Sequence, residues 1–318
     1  MSTIAFPVSP TVGQLYTFGG TTWQCAGTSP EPWWNTVFAN IASSGEQFVP
    51  INYFWLNLAD FPFQDETFVA LTVTDLYVYI GANTSNVNLY TLAGSPTVAV
   101  NLHVVVASGV TISAAAGGTG AANAAMQVGA GWVSGSSIIL TGAANSVICG
   151  HSGAGGLTQS GTTLPGNNGN PGSDGLYINA QTFTMTVTVS GFAGTIAGGG
   201  GGGGSGGSGT AGNGGPGGAG SSAVGTNSTA GTAGTGTGFG AGGAAAGNNA
   251  ANNGSPSTAT TGGGGGGSGG GVGHAGGTGG TGDNGGTAGG TGGASGYAIR
   301  KNGNTLSGSP GTSYGTIG

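Results

Sequence analysis

Short runs in which apolar and polar side chains alternate recur along the first two thirds of the chain. A period of two residues is that of a β-strand, in which successive side chains face opposite sides of the sheet. The runs lie at 68–73, 76–80, 98–106, 110–113, 137–140, 147–149, 176–178 and 183–189. Stretches rich in glycine, alanine, asparagine and serine separate them, so the sequence predicts short strands joined by turns. We expect a β domain over 46–95, and over 96–196 a solenoid-like β domain whose runs read like rungs of a β-helix.

The first 45 residues contain a similar alternation around a pair of glycines. Polar and large apolar side chains alternate through SPTVGQLYTFGGTTWQCAGT, which places Gly19 and Gly20 near the middle of the run. Two alternating runs joined by such a pair are typical of a β-hairpin. We therefore expect a small β module over 1–45.

The stretch from about 198 to 296 follows a different period. Glycine occupies every third position from Gly200 to Gly218 and again from Gly264 to Gly285, and small or polar residues fill most positions between. A repeat of three is that of polyproline II geometry, which has no internal backbone hydrogen bonds. The N–H and C=O groups of such a stretch must therefore find partners elsewhere in the chain. At about 3.1 Å per residue, a single helix from Gly200 to Gly218 would extend over roughly 55 Å.

Three structures are compatible with a glycine-rich tract of this kind. Disordered linkers are commonly rich in glycine and serine. Collagen needs an unbroken register and abundant proline, whereas this chain has 12 prolines and loses the register between Gly218 and Gly264. Polyglycine II helices packed side by side would bond to one another, because glycine lets their backbones approach closely. We expect such a bundle over 197–296, with the preceding β layer as its template, and closing strands over 297–318.

Very few side chains carry charge. Charged residues make up 3% of the chain, and its only two basic residues, Arg300 and Lys301, are adjacent near the C-terminus. With a net charge of −6 and no basic patch, the chain is not expected to bind nucleic acid. It contains no run of 18 apolar residues that predicts a membrane span. The expected fold is mainly β with almost no α-helix: a small N-terminal β module, a β-sandwich or solenoid-like domain, then a bundle of polyglycine II helices.

No arrangement of residues predicts catalysis, a metal site or a bound cofactor. Cys25 and Cys149 are expected to be buried free thiols of a chain that folds in a reducing compartment. The acidic residues within 60–66 could serve glycoside hydrolysis, but solvated carboxylates of a loop are the favoured interpretation. His103 lies in an apolar run and is expected to be a core histidine.

Binding is the more plausible chemistry, and the interruptions of the glycine blocks are its candidate segments. The interruptions at 221–230 and 239–261 must turn the chain between helices, so we expect them at the ends of the bundle, exposed and variable in shape. An aromatic ring and a cluster of side-chain amides there would suit a carbohydrate or a loop of an outer-membrane protein. The candidate receptor-binding residues are Asn227, Phe239, Asn248, Asn249, Asn252 and Asn253.

Three stretches of the chain resemble bacteriophage tail-fibre proteins. The N-terminal SPTVGQLYTFGGTTWQCAGT is similar to a short attachment or spacer module of tail fibres. SGFAGTIAGGGGGGG, followed by interrupted glycine blocks, is similar to the distal adhesins of tailed phages. GASGYAIRKNGNTLSGSPGTSYGTIG is similar to the closing segment of glycine-rich fibre proteins, a short pair of strands. The resemblance implies an adhesin in which loops between polyglycine II helices contact the host surface.

The resemblance also implies partners and a location. The expected partners are a host cell-surface receptor, either a glycan or an outer-membrane protein, and other tail or baseplate proteins that the N-terminal module contacts. A homotrimer is expected, with no nucleic acid partner, no insertion into a membrane and no enzymatic activity. The chain would be made in the host cytoplasm and carried in the virion as part of a tail fibre.

Other interpretations of the same features stay open. A purely structural virion fibre or decoration protein would share the fold and lack a receptor. Some ice-binding proteins use flat bundles of polyglycine II helices, but they expose regular rows of small residues, and the irregular interruptions here argue against that function. A depolymerase is the enzymatic alternative, and the scarcity of carboxylates in the β region argues against it.

Overall fold

The computed structural model describes four strands between Leu15 and Phe48 and then residues 74–318, apart from 116, 161–162, 225, 247–248 and 284–285. The strand run predicted at 68–73 and the acidic residues within 60–66 lie outside the described residues. The helical elements of the described residues are short: α1 (Leu89–Leu92) has four residues and a 3-10 turn (Ala121–Asn123) has three. The prediction of a mainly β chain with almost no α-helix is confirmed.

The N-terminal strands form an antiparallel sheet. β1 (Leu15–Phe18) pairs with β2 (Thr21–Gly27), and β2 pairs with β3 (Trp33–Val37). In the first pair Phe18 lies opposite Thr21, so two residues join the strands. The predicted hairpin is therefore confirmed.

The remaining strands form three sheets, and all pairs but one in them are parallel. The first sheet contains β4 (Glu46–Phe48), β5 (Thr74–Ile80), β8 (Val100–Val106), β11 (Ser137–Gly142), β14 (Thr186–Thr188) and β17 (Thr305–Ser307). The second contains β6 (Thr84–Ser85), β9 (Thr111–Ser113), β12 (Val147–Cys149), β15 (Thr195–Ala197) and β18 (Thr312–Tyr314). The third contains β7 (Val87–Asn88), β10 (Met126–Gln127), β13 (Leu176–Tyr177) and β16 (Ile299–Arg300). Only β4 pairs antiparallel, with β5.

Successive strands lie in successive sheets, so the chain winds through the three sheets in turn. β5, β6 and β7 form one turn, β8, β9 and β10 stack on it in parallel register, and two further turns follow before β17 and β18. We call this winding the coil. Its sheets cross the boundaries expected after residues 95 and 296, since β5 pairs with β8 and β13 pairs with β16.

The closing strands differ from the expectation of a strand pair. β17 bonds to β14 and β18 bonds to β15, so each extends a different sheet. Parallel strands cannot be joined by a tight hairpin, and the connection from β17 to β18 instead carries the chain from the first sheet to the second. The predicted pairing of these two strands with each other is wrong.

The alternation of side chains places an apolar core inside the coil. In β8, Val100, Leu102, Val104 and Val106 are buried, whereas the residues between them are at least partly exposed. Neighbouring strands supply residues of the same kind, and the buried set forms one continuous cluster. Each fully buried side chain of this size contributes about 1.5–3 kcal/mol relative to leaving it exposed.

His103 lies on the outer face of the first sheet, so the expectation of a core histidine is wrong. Its neighbours Leu102 and Val104 face the core, and the period of two turns His103 outward. The imidazole stacks on Tyr77 with ring centroids 4.5 Å apart, and its Nε2 lies 3.4 Å from Asp75 Oδ1.

The coil opens twice between its second and third sheets. Residues 150–175 separate β12 from β13, and residues 198–298 separate β15 from β16. These insertions contain ten extended segments, which we number in chain order and together call the bundle. They are I (150–156), II (164–173), III (198–209), IV (212–221), V (229–235), VI (240–246), VII (249–257), VIII (262–272), IX (274–283) and X (287–296). The bundle thus includes 150–173, ahead of the boundary expected at 197.

Backbone hydrogen bonds join each segment to several neighbours at steps of three residues. In segment III, successive N–H groups donate in rotation to segments II, IV and IX. The rotation is illustrated by Gly202 to Asn170, Gly203 to Gly218 and Gly204 to Gly277, with N–O distances of 2.9, 2.8 and 2.9 Å. A polyglycine II helix has three residues per turn, so its successive N–H groups point in three directions that repeat every three residues. The observed hydrogen bonds have this repeat.

The bonding pattern arranges the ten segments in three rows. Segments I, IV and V form one outer row, segments II, III, VIII and VI form the middle row, and segments X, IX and VII form the other outer row. Segments III and VIII each bond to six neighbours. They are therefore the two inner segments, and every residue of 198–209 and 262–272 is buried.

Glycine is required at the inner positions because backbone packs against backbone there. A Cβ at Gly202 would overlap the carbonyl oxygen of Ala154, and a Cβ at Gly293 would overlap that of Asn170. Serine occurs where its hydroxyl is used. The buried Ser205 accepts a hydrogen bond from the N–H of Asn167 at 2.7 Å.

The run from Gly200 to Gly218 is not one long helix. The chain reverses at 210–211, where Gly209 N–H donates to Gly212 C=O at 2.8 Å, and segment IV returns antiparallel to segment III. Gly209 and Gly212 on either side of the reversal are three positions apart, so the repeat of glycine in the sequence does not reveal the reversal. The 12 residues of segment III instead correspond to a length of about 37 Å.

One end of the bundle packs on the coil, and we call it the near end. Val272, in the reversal between segments VIII and IX, is buried with Cys149 and Ala197 of the second sheet, and Val224 packs against this cluster. Gly198 N–H also donates to Tyr314 C=O at 2.9 Å. The opposite end of the bundle is the far end.

A buried ion pair lies where both insertions return to the coil. Asp174, which is fully buried, accepts from Arg300 Nε at 2.7 Å and Nη2 at 3.0 Å, and from Tyr297 N–H at 2.9 Å. The hydrogen bond to this carboxylate raises the pKa of the Arg300 guanidinium above its ordinary value. The ion pair thus ties Asp174, two positions before β13, to β16.

Adding one methyl group inside the bundle should be far more costly than adding two outside it. We expect Gly293→Ala to lower the stability of the bundle by about 3 kcal/mol or more, because the methyl overlaps the Asn170 carbonyl oxygen. The adjacent Ala294 is exposed, and Ala294→Val should change the stability by no more than about 0.5 kcal/mol. Thermal unfolding of both variants followed by calorimetry tests this pair, and equal losses would contradict the packing described.

Cys149 should be unreactive in the folded protein. Burial raises the pKa of its thiol to about 12, so the thiol stays protonated at pH 8 and offers almost no thiolate to a reagent. We expect iodoacetamide at pH 8 to leave Cys149 unmodified until denaturant is added, as read by peptide mass spectrometry. Rapid alkylation of Cys149 without denaturant would show that the near end separates from the coil in solution.

Candidate functional site

Five reversals of the chain lie at the far end of the bundle. They follow from the antiparallel order of the segments, because each segment that runs away from the coil is followed by one that returns. The far-end turns are 157–163, 210–211, 236–239, 258–261 and 284–286, of which 161–162 and 284–285 are outside the described residues. Turns are where backbone can present side chains that the glycine packing excludes, so this end is the candidate site.

Bulky apolar side chains in the bundle and its turns are few, and they occupy two places. Val224 and Val272 lie at the near end, against the coil. Leu157, Leu164 and Phe239 lie at the far end, where they are 76%, 42% and 54% exposed. An exposed apolar side chain has no role in holding a bundle that backbone hydrogen bonds stabilise. Such residues at one end therefore point to a contact surface.

The three exposed apolar residues flank the far end. Leu157 begins the turn between segments I and II and Leu164 begins segment II, whereas Phe239 belongs to the turn between V and VI. Segments II and VI are the two ends of the middle row. The surface between them is formed by turns rich in threonine.

Between these apolar residues, the far ends of segments III, VIII and IX meet. Thr210 Oγ1 donates to the carbonyl oxygen of Thr260 at 2.8 Å and lies 3.2 Å from Asp283 Oδ1. Asp283 N–H donates to Gly262 C=O at 3.0 Å. Among the described residues of the bundle, Asp283 is the one with a formal charge at pH 7, so the far end offers hydroxyl, amide and apolar groups almost without charge.

The structure does not bring the six predicted receptor-binding residues together. Phe239 lies at the far end, as expected of a contact residue. Asn227 lies in the near-end reversal between segments IV and V, and Asn249 begins segment VII at the near end. Asn248 lies outside the described residues.

The remaining two asparagines take part in the hydrogen bonding of the bundle. Asn252 Nδ2 donates to Ala244 C=O at 2.9 Å, and Asn253 Oδ1 accepts from Thr278 N–H at 2.9 Å. Segment VII lies at the edge of its row, and these amides bond to backbone groups of the segments beside it. Their amides are therefore already engaged within the chain.

The interruption at 239–261 is not a single loop. It contains the end of one far-end turn, segment VI, a near-end reversal, segment VII and the whole of another far-end turn. Alanine, asparagine and serine replace glycine here because outer segments expose part of their circumference, so a side chain fits. The expectation of one exposed loop over this range is wrong.

Sequence reasoning missed Leu157 and Leu164 as candidate contact residues. Both lie within 96–196, the expected solenoid-like β domain, in a stretch between two predicted strand runs. The available signal was their isolation, because leucine surrounded by glycine, serine and threonine has no apolar neighbours with which to form a core.

Other chemistry is sparse. No group of three or more histidine, cysteine or acidic side chains that could hold a metal ion occurs among the described residues. Within the same part of the chain, no helix is both long and apolar enough to cross a membrane. His151 and His274 lie at the near end, on different segments.

Comparison with known proteins gives one match. A family model described as phage tail fibre adhesin Gp38 matches residues 75–318, more than three quarters of the chain. The match covers the coil from β5 onward and the whole bundle, and it does not include the N-terminal antiparallel sheet. No curated protein and no solved structure matches the chain.

Proposed function

Because the chain belongs to the phage tail fibre adhesin Gp38 family, which gives it a role in host attachment, we propose that it binds a host receptor through the far end of the bundle. The observation that carries this proposal is the position of Leu157, Leu164 and Phe239. They are the exposed bulky apolar residues of the bundle, and all three lie at the end away from the coil.

The bundle suits this role because it holds the far-end turns rigidly. Each turn joins two segments that hydrogen bonds fix along their length, so little conformational entropy is lost when the turns are immobilised on a receptor. The exposed apolar side chains would act as anchors in pockets of the receptor, and the threonine hydroxyls between them would supply hydrogen bonds.

The partners and location of the chain follow in part from its family. A phage tail fibre adhesin is a virion-associated protein that contacts tail components as well as the host. We propose that the N-terminal antiparallel sheet, which lies outside the family match, makes the contact with tail or baseplate proteins. A homotrimer remains our proposal for the assembled fibre. We also propose that attachment proceeds by binding alone, without catalysis, as adhesins of this family typically do.

Removal of the apolar anchors should abolish most host binding. We expect the variant Leu157→Ser/Leu164→Ser/Phe239→Ser to bind host cells at least about tenfold more weakly than the wild type, because anchor residues commonly contribute more than about 1 kcal/mol each. The measurement is the binding isotherm of the fluorescently labelled full chain on cells of the phage's host. Since all three side chains are exposed, the melting temperature should hardly change.

Val98→Ser is the matched control for this experiment. Val98 is 59% exposed and lies on the coil, so its replacement removes an exposed apolar side chain away from the proposed surface. Unchanged binding by the triple variant would contradict a far-end site. Failure of the wild type to bind any host of the phage would instead favour the alternative, a structural virion fibre without a receptor.

A further inference from the structure

Two of the five far-end turns, 210–211 and 258–261, converge with the end of segment IX at Asp283. They lie at the far ends of segments III, VIII and IX. These three segments are mutual neighbours in the bundle, so their far ends form a triangle. The point lies between the apolar flanks of the proposed receptor surface.

Asp283 and Thr210 connect the far ends of these three segments. Thr210 Oγ1 reaches both Thr260 C=O, at 2.8 Å, and Asp283 Oδ1, at 3.2 Å. The N–H of Asp283 donates to Gly262 C=O at 3.0 Å. Asp283 therefore contacts turn 210–211 through its side chain. Through its backbone N–H it contacts the start of segment VIII, directly after turn 258–261.

The backbone conformation at position 283 restricts which residues can occupy it. Its φ is +52°, in the left-handed region that aspartate and asparagine adopt more readily than most other residues. Glycine would be easier to accommodate there and is abundant in this chain, yet it would supply no acceptor for Thr210. The carboxylate is thus present in spite of a backbone that favours glycine.

We propose that Asp283 is a positioning residue of the receptor surface, whose side-chain oxygen fixes turn 210–211 against its two neighbours. The inference rests on the proposed function, because it assigns Asp283 a role in that same surface. A turn with two small residues between glycines has many accessible conformations when it is unconstrained. The bond from Gly209 N–H to Gly212 C=O and the bond from Thr210 to Thr260 restrict this turn in part, and the contact with Asp283 restricts it further before the receptor arrives, so less entropy is lost on binding.

Asp283 also carries the formal charge of the far end. A direct ionic contact between this carboxylate and the receptor is therefore the alternative to the positioning role. The two roles differ in what they require. Positioning needs an oxygen acceptor at Oδ1, whereas a direct ionic contact needs the negative charge. Asp283→Asn keeps an oxygen acceptor and tolerates the left-handed backbone, but it removes the charge.

The test compares four variants of the full chain. Asp283→Gly removes the acceptor and accepts the backbone conformation, Thr210→Val removes the donor, Asp283→Gly/Thr210→Val removes both, and Asp283→Asn is the conservative control. We expect either single loss to weaken host-cell binding about two- to tenfold, the range of one hydrogen bond. Thr210→Val by itself loses the hydrogen bond to Thr260 as well as the contact with Asp283, so the double variant should be no weaker than Thr210→Val. Asp283→Asn should bind like the wild type.

Amide hydrogen exchange supplies a readout that does not depend on a receptor. Peptides covering 205–214 should exchange about two- to tenfold faster in Asp283→Gly and Thr210→Val, and peptides covering segment I should not change. Exchange at 205–214 like that of the wild type would overturn the proposal, as would additive losses in the double variant. Binding by Asp283→Asn as weak as that of Asp283→Gly would overturn it in favour of a direct charge contact. If the wild type binds no host cell while exchange responds as expected, the proposed function fails and the ordering role of Asp283 stands.

Discussion

The whole bundle depends on the hydrogen-bonding needs of a backbone that cannot satisfy itself. A segment of polyglycine II geometry makes no internal hydrogen bonds, and segments III and VIII are buried, so water cannot supply partners. Each inner segment therefore needs neighbours in every bonding direction, and each has six. Neighbours can come within bonding distance only if no Cβ stands between them. The glycine content is thus a consequence of the hydrogen bonding, and apolar burial has little part in holding the bundle.

The coil meets the cost of ordering such a bundle by fixing where its segments begin and end. Segments I and III follow directly from neighbouring strands of the second sheet, and segments II and X lead back to neighbouring strands of the third. The stacked strands therefore set the register of four of the ten segments. Apolar burial stabilises the coil, the small cluster around Val272 joins coil and bundle, and hydrogen bonds alone continue the order toward the far end.

The sequence revealed the elements of this fold better than their connections. The alternation in 98–106 and 147–149 identified β8 and β12, and the three-residue period identified the inner segments, because each pattern reflects a local geometry. The reversal at 210–211 could not be predicted, since glycines 209 and 212 keep the period through it. The role of Asn252 and Asn253 also depends on which segments lie beside them, and nothing local records that. Phe239 was identified as a candidate contact residue because an aromatic residue stands out among glycines. Leu157 and Leu164 carried the same signal in a stretch that was interpreted as the connection between two strands.

The direction of the hydrogen bonds has a mechanical consequence. They run across the bundle, from one segment to the next, whereas the line from the far end, where we propose the receptor surface, to the coil runs along the segments. A pull along that line loads the bonds between two segments in shear, so many of them bear the force together and no single bond can open ahead of the others. A peeling pull would open them one at a time. A particle that diffuses and is dragged while one end is held would therefore strain the attachment along the axis in which this architecture resists rupture best.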